Sequence, residues 1–253
     1  MPPVALITGA SSGIGLALAQ HLLSLPRANW HLILADLNPP PPSSSTSFPS
    51  NRTLFVRTDV ASWEQQAALF RAGFARFGRL DFAALNAGID DRDDIFNSIE
   101  AEESKGLEGP RKPSLRTFEV DLDAVYYGVK LAAWYMSRRK PGSSAAGGEG
   151  GGGGGVKGRI VITSSSAGLY AAPAIPQYCA AKHALVGLTR SLAPAAADVG
   201  ITVNAICPAV VVTGLAPAGL LDAWPEEMRT PMSTMMRKER DRGRIPRTRR
   251  MGV

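Results

Sequence analysis

Tyr178-Cys179-Ala180-Ala181-Lys182 sets a phenol and an ammonium group four residues apart. On a helix, that spacing puts both on one face. A cation beside a phenol favours the phenolate and lowers its pKa towards working pH, as a proton-transfer group requires. Ser165 lies 13 residues before Tyr178, at the end of an apolar run, where its hydroxyl can hydrogen-bond a reacting oxygen. Another set of residues suits binding. Thr8-Gly9-Ala10-Ser11-Ser12-Gly13-Ile14-Gly15 follows one apolar run and opens a helical stretch. Glycines at such a place allow a tight turn and let the backbone approach a pyrophosphate at the helix N-terminus. Asp36 closes the second apolar run, 21 residues after Gly15. An acid there binds both ribose hydroxyls of an adenosine and repels a 2′-phosphate. With Ser12 and Leu37 where a cation would welcome that phosphate, NAD is favoured over NADP. Each feature alone also has a plainer reading: a turn, a turn aspartate, a packing tyrosine beside a surface lysine.

The elements that must position these residues alternate. Apolar, strand-like runs occupy 4–7, 30–35, 54–56, 80–85, 159–163 and 201–206, and helical patterns occupy 16–23, 62–77, 114–139 and 176–198. Such alternation implies right-handed βαβ crossovers and a parallel sheet with helices on both faces, a single Rossmann-type doubly wound α/β domain. Residues 38–50, rich in Pro and Ser, and 141–158, with six successive glycines at 150–155, read as flexible surface insertions. Residues 90–113 read as a charged loop with a short helical piece. The catalytic domain is expected over 1–225, with a basic, disordered tail over 226–253.

Composition narrows the function classes. The 253 residues are 45% hydrophobic and 20% charged, which excludes a wholly disordered chain. No apolar run approaches the roughly 18 residues of a membrane span. The N-terminus has neither the basic start nor the cleavage site of a signal peptide, so a cytoplasmic, reducing location is expected. Two cysteines imply no disulfide framework, and three histidines at unrelated spacings make no zinc site. The net charge of +6 is mostly the tail's, where nine Lys/Arg face four acids. It therefore does not mark a nucleic-acid-binding face on the domain.

Taken together, Thr8 to Gly15, Asp59-Val60, Asn86-Ala87-Gly88, Ser165, Tyr178 with Lys182, and Pro208 to Thr213 fall in the order and spacing of one family. The chain resembles the classical short-chain dehydrogenases/reductases from about residue 3 to residue 215. The segments around Val120-Asp121-Leu122, Ser165 to Tyr170 and Lys182 to Gly187 look closest to secondary-alcohol dehydrogenases of the 15-hydroxyprostaglandin-dehydrogenase-like kind. The resemblance implies an NAD-dependent interconversion of a secondary alcohol and a ketone. Tyr178 would be the base in oxidation and the acid in reduction. Lys182 would hold the nicotinamide ribose, and Ser165 the reacting oxygen. Gly9, Ser11, Ser12, Gly13, Ile14, Gly15 and Asp36 would bind the nucleotide. Asp59 and Val60 would flank the adenine, and Asn86, Ala87 and Gly88 would pack along the cofactor. Val211 and Thr213 would meet the carboxamide. Partners would be a small alcohol or ketone and further copies of the chain, as a homodimer or homotetramer, with no membrane or nucleic acid.

Three places depart from the family pattern. Asp121 stands where the family usually has Asn, whose backbone carbonyl holds a water of the proton relay. We count Asp121 as a fourth catalytic residue, and a carboxylate near Lys182 alters the pH profile. Ala209 follows Pro208 where the family has glycine, a strain if the backbone there needs positive φ. Residues 226–253 lack a strand-like run, so the seventh strand is expected to be missing, which removes core area and leaves an edge open. The alternatives are therefore a catalytically inactive Rossmann-fold binding protein, or a truncated and unstable product. Retention of Ser165, Tyr178 and Lys182 favours the enzyme.

Overall fold

A computed structural model describes residues 1–26, 28–41, 48–90, 109–138, 156–173, 175–209 and 211. The elements are β1 (Val4–Thr8), α1 (Gly13–Ser24), β2 (His31–Asp36), β3 (Thr53–Arg57), α2 (Trp63–Phe77) and β4 (Phe82–Leu85). Then come α3 (Arg116–Phe118), a π-helical turn (Glu119–Asp123), α4 (Ala124–Met136), β5 (Gly158–Thr163), a 3₁₀ turn (Ser166–Gly168), α5 (Pro176–Asp198) and β6 (Ile201–Ile206). All strand pairs are parallel, and the order is β3-β2-β1-β4-β5-β6. This is the open doubly wound sheet expected from the alternation. The order reverses between β1 and β4, and a crevice outside the carboxyl ends of those strands is where such sheets bind ligands.

Successive strand side chains point to opposite faces, and the core divides accordingly. Val4, Leu6, Ile33, Ala83 and Leu85 join Leu69 and Phe70 of α2, Val125 and Val129 of α4 and Leu185 of α5. Ala5, Ile7, Leu32, Leu34 and Ala84 join Ala19, Leu22 and Leu23 of α1. Phe48, within the stretch expected to be an insertion, packs on that second cluster. Towards β6 the α1 side is more open, with Ile206 42% exposed.

Two boundaries differ from expectation. The single helix expected over 114–139 contains a π turn at Glu119–Asp123 and ends at Met136. One extra residue in a turn shifts the side chains that follow, and such bulges concentrate at functional sites. Residues 156–158, assigned to the second insertion, belong to the sheet region. Lys157 N–H donates to Gly200 O at 2.7 Å, and Gly158 begins β5. Among the described residues there is no seventh strand. Residues 42–47, 91–108, 139–155 and 226–253 lie outside the described ones.

Candidate active site

The carboxyl ends of β1, β2, β4 and β5 bring the expected residues to one edge of the sheet. After β1 the chain turns through Gly9 at φ 67° and enters α1 at Gly13, at φ 50°. Both conformations favour glycine. Gly15 is fixed by space instead, since a Cβ there would lie 2.1 Å from Gly9 O. Helix and turn thus close together as a glycine cradle. The Ser12 side chain makes no capping bond to α1, so the first-turn N–H groups form an anion-facing end. Asp36 Oδ2 accepts from Ser11 N–H at 3.0 Å and Oδ1 from Asn38 N–H at 3.3 Å, which holds the carboxylate against the cradle.

Next to the cradle, Asn86 and Ala87 donate their N–H groups to Thr8 Oγ1 at 2.9 and 3.1 Å. Asn86 Oδ1 accepts from Thr163 Oγ1 at 3.2 Å. The threonines at the ends of β1 and β5 therefore bracket Asn86, a support visible only once the strands pair. Gly88 faces the Asp121 carboxylate, and a Cβ on it would lie 2.8 Å from Oδ2. Val60 is buried against Val120 and Ala124. Asp59 lies at the outer end, paired with Arg116.

Ser165 follows β5 and caps the 3₁₀ turn, its Oγ accepting from Ala167 N–H at 3.1 Å. With that acceptor used, the hydroxyl proton is free to point to Tyr178, to which Ser165 is hydrogen-bonded. The turn sits tightly on α5: a Cβ on Gly168 would lie 2.6 Å from Lys182 O. Ser164 Oγ donates to that same carbonyl at 2.8 Å, and Cys179 Sγ donates to Ala167 O at 3.2 Å. These braces, which local sequence does not reveal, fix Ser165 relative to the helix carrying Tyr178 and Lys182.

Tyr178 and Lys182 share a face of α5, with Nζ 5.2 Å from the phenol ring centre. Lys182 is 2% exposed and Asp121 is 0% exposed. Nζ donates to Thr163 O at 3.1 Å and lies 3.0 Å from Asp121 Oδ2. That contact is an ion pair without the alignment of a hydrogen bond. The other oxygen, Oδ1, accepts from Ile89 N–H at 2.8 Å. Burial raises the Asp121 pKa; Lys182 and the Ile89 N–H pull it back only in part.

One expectation is overturned. Tyr178 has its pKa raised, not lowered, in this structure. Burial is the largest cause, the Ser165 hydrogen bond acts in the lowering direction, and the negative charge of Asp121 adds to the rise. The Asp121 carboxylate beside Lys182 opposes the effect of the cation on the phenol. The strain considered at Ala209 is also absent. Among the described residues, Asn29 is the one non-glycine with positive φ. Val211 is 40% exposed, and Thr213 lies outside the described residues. Among the described residues no cluster of His, Cys, Asp or Glu could hold a metal, and no helix is long and apolar enough to cross a membrane.

The family model for short chain dehydrogenases matches residues 3–220. The chain belongs to this family. Among relatives of this short-chain dehydrogenase, the Penicillium rubens protein "Short-chain dehydrogenase/reductase prx7" is 33% identical, over 84% of this chain and 70% of that one. Human "15-hydroxyprostaglandin dehydrogenase [NAD(+)]" is 36% identical, over 84% and 69%. Against a further Penicillium relative, the chain spans 56% of that protein's length. A short-chain dehydrogenase/reductase from Burkholderia phymatum, solved in complex with NAD, superposes with a TM-score of 0.63 at 25% identity, over 95% of this chain and 78% of that one. The family consists of oxidoreductases that use a nicotinamide nucleotide, and the open parallel sheet is the same in kind.

Proposed function

We propose that this short-chain dehydrogenase is an NAD-dependent oxidoreductase that interconverts a secondary alcohol and a ketone. The observation that carries this reading is the joint placement of Ser165, Tyr178 and the buried Lys182–Asp121 pair beside a glycine cradle at the sheet's carboxyl edge. The cradle fits a dinucleotide. Gly15 has no room for a side chain, no side chain caps the α1 N-terminus, and Asp36 is held beside Ser11, where a ribose would meet it. Gly9, Ser11, Ser12, Gly13, Ile14 and Gly15 would line the pyrophosphate, Asp59 and Val60 the adenine, and Asn86, Ala87 and Gly88 the middle of the nucleotide. Val211 and Thr213 would meet the carboxamide. When bound, the nucleotide supplies the hydride acceptor or donor. The domain would extend over 1–225, in the cytoplasm, as a homodimer or homotetramer.

The chain's own residues handle the proton. In oxidation, the ionised Tyr178 oxygen takes the alcohol proton while the Ser165 hydroxyl donates a hydrogen bond to the same substrate oxygen. In reduction, neutral Tyr178 returns the proton. Lys182 holds the ribose and stabilises the phenolate; Asp121 and Thr163 O hold Lys182 in place. A phenol with a raised pKa suits the acid role at neutral pH and needs higher pH for the base role.

Cofactor choice gives the test. Asp36→Ala removes the carboxylate that meets the ribose hydroxyls, so NAD binding should weaken about tenfold or more, the effect of losing roughly 1.4 kcal/mol or more of interaction. The preference against NADP should shrink. Dissociation constants for both nucleotides, with turnover of a secondary-alcohol panel followed by absorbance of the reduced cofactor, would check both. An unchanged NAD/NADP ratio would remove Asp36 from the ribose.

A further inference from the structure

At the outer end of the cleft lies a side-chain cluster that the reading above leaves unused. Arg116 begins α3, and its Nη2 donates to Asp59 Oδ1 at 2.9 Å and to Oδ2 at 2.7 Å. Its Nη1 donates to Glu119 Oε2 at 3.0 Å, a residue of the π turn. Asp59 Oδ1 also accepts from Ala61 N–H at 3.0 Å, and Asp59 N–H donates to Gln65 Oε1 at 2.8 Å. Two segments 57 residues apart are thereby tied, and Asp59 is held from its backbone and from both carboxylate oxygens.

A carboxylate offers about four acceptor directions. The Ala61 N–H and the two Arg116 contacts occupy three of them, leaving one on Oδ2. The pair sits at the rim, with side chains 40% and 33% exposed. Pairs this open contribute little to stability, so the consequence of the contact is geometric: it sets where the remaining acceptor points. Arg116 also offsets one of the two negative charges that Asp59 and Glu119 bring together.

We propose that Arg116 is a positioning residue for the adenine subsite, turning Asp59 so that its remaining acceptor meets the 6-amino group of the base. This rests on the nucleotide reading above, in which Asp59 flanks the adenine. It adds a specificity: the site distinguishes a 6-amino purine from a 6-oxo purine. An amino group donates to the carboxylate. A 6-oxo group sets acceptor against acceptor and leaves the site's polar group unpaired, the arrangement by which sites reject an analogue most strongly.

The test compares dissociation constants for NAD and for its 6-oxo analogue, nicotinamide hypoxanthine dinucleotide, which needs no known substrate. The parent protein should bind NAD about tenfold more tightly, one such hydrogen bond. Arg116→Ala should weaken NAD about five- to tenfold, leave the analogue nearly unchanged and bring the ratio close to one. Arg116→Lys keeps the charge without the planar fork and should recover part of the preference. Arg116→Met, which retains the apolar stem, carries the same comparison if the alanine variant melts early. A variant that keeps the parent's NAD affinity and base preference would overturn the proposal. A parent that binds both dinucleotides equally would overturn it too, with NAD binding itself left standing. Failure of the parent to bind either dinucleotide would instead defeat the nucleotide reading.

Discussion

Tyr178→Phe is expected to lower turnover by about two to four orders of magnitude, the usual worth of a positioned acid or base, and to leave the affinity for NAD nearly unchanged. The substitution removes one oxygen and keeps the ring, so packing on α5 and the contact with Lys182 at 5.2 Å persist. What is lost is the atom that moves the proton and the partner of Ser165. The glycine cradle, Asp36 and Asp59 lie elsewhere and are untouched. Steady-state rates and nucleotide titrations on the same preparation separate the two effects. Turnover within a few-fold of the parent's would remove Tyr178 from the proton-transfer role.

Asp121→Asn should move the pH profile. Oxidation requires the Tyr178 phenolate, so its rate climbs as pH rises through the tyrosine's pKa. Burial raises that pKa, the Ser165 hydrogen bond opposes the rise, and the negative charge of Asp121 adds to it. Removing the charge lowers the pKa, and the rising limb of oxidation shifts to lower pH. The groups around Tyr178 that bear on this are Lys182 on the same helix, Ser165 at the cap of the 3₁₀ turn and Asp121 on the π turn, with Asp90 acting on Asp121. Asparagine can still accept from Ile89 N–H and approach Lys182, so the fold should survive. Asp121→Leu should not be so benign. It strands the 2% exposed Lys182 cation, and breaking a buried pair from one side destabilises by about 3–5 kcal/mol. Profiles of kcat/KM against pH for parent and Asp121→Asn provide the check. A limb that stays put, or moves to higher pH, would mean that the carboxylate does not act on the tyrosine.

Local pattern reveals most of the sheet, because buried strands such as β1 and β2 are short apolar runs ended by Gly9 and Asp36. It also reveals Tyr178 and Lys182 as helix-face neighbours, since that is a matter of spacing alone. The π turn is not legible. A single wide turn over five residues changes the burial period too little to stand out, yet it brings Asp121 inward. The family resemblance brings Asp121 near Lys182, but no local pattern shows their ion pair or the bracket of Thr8 and Thr163 on Asn86, because each joins residues far apart in sequence. The direction of the Tyr178 shift is not legible in the sequence either. Spacing shows the nearby cation, whereas burial, the largest cause of the rise, is a property of the folded chain. Arg116 gave no signal, lying after a charged stretch where an arginine looks like ordinary surface.

Thermal unfolding of the purified chain, alone and with NAD or NADP, tests the central claim most directly, because it asks at once whether the fold is cooperative and whether the cradle takes a nucleotide. At about 100 times its dissociation constant, a ligand stabilises by roughly 2.7 kcal/mol. For a domain of this size that is a rise of about 5–10 °C in Tm. The expected result is one cooperative transition raised by NAD and raised less by NADP at the same concentration. A transition indifferent to both nucleotides, or no cooperative transition at all, would contradict it.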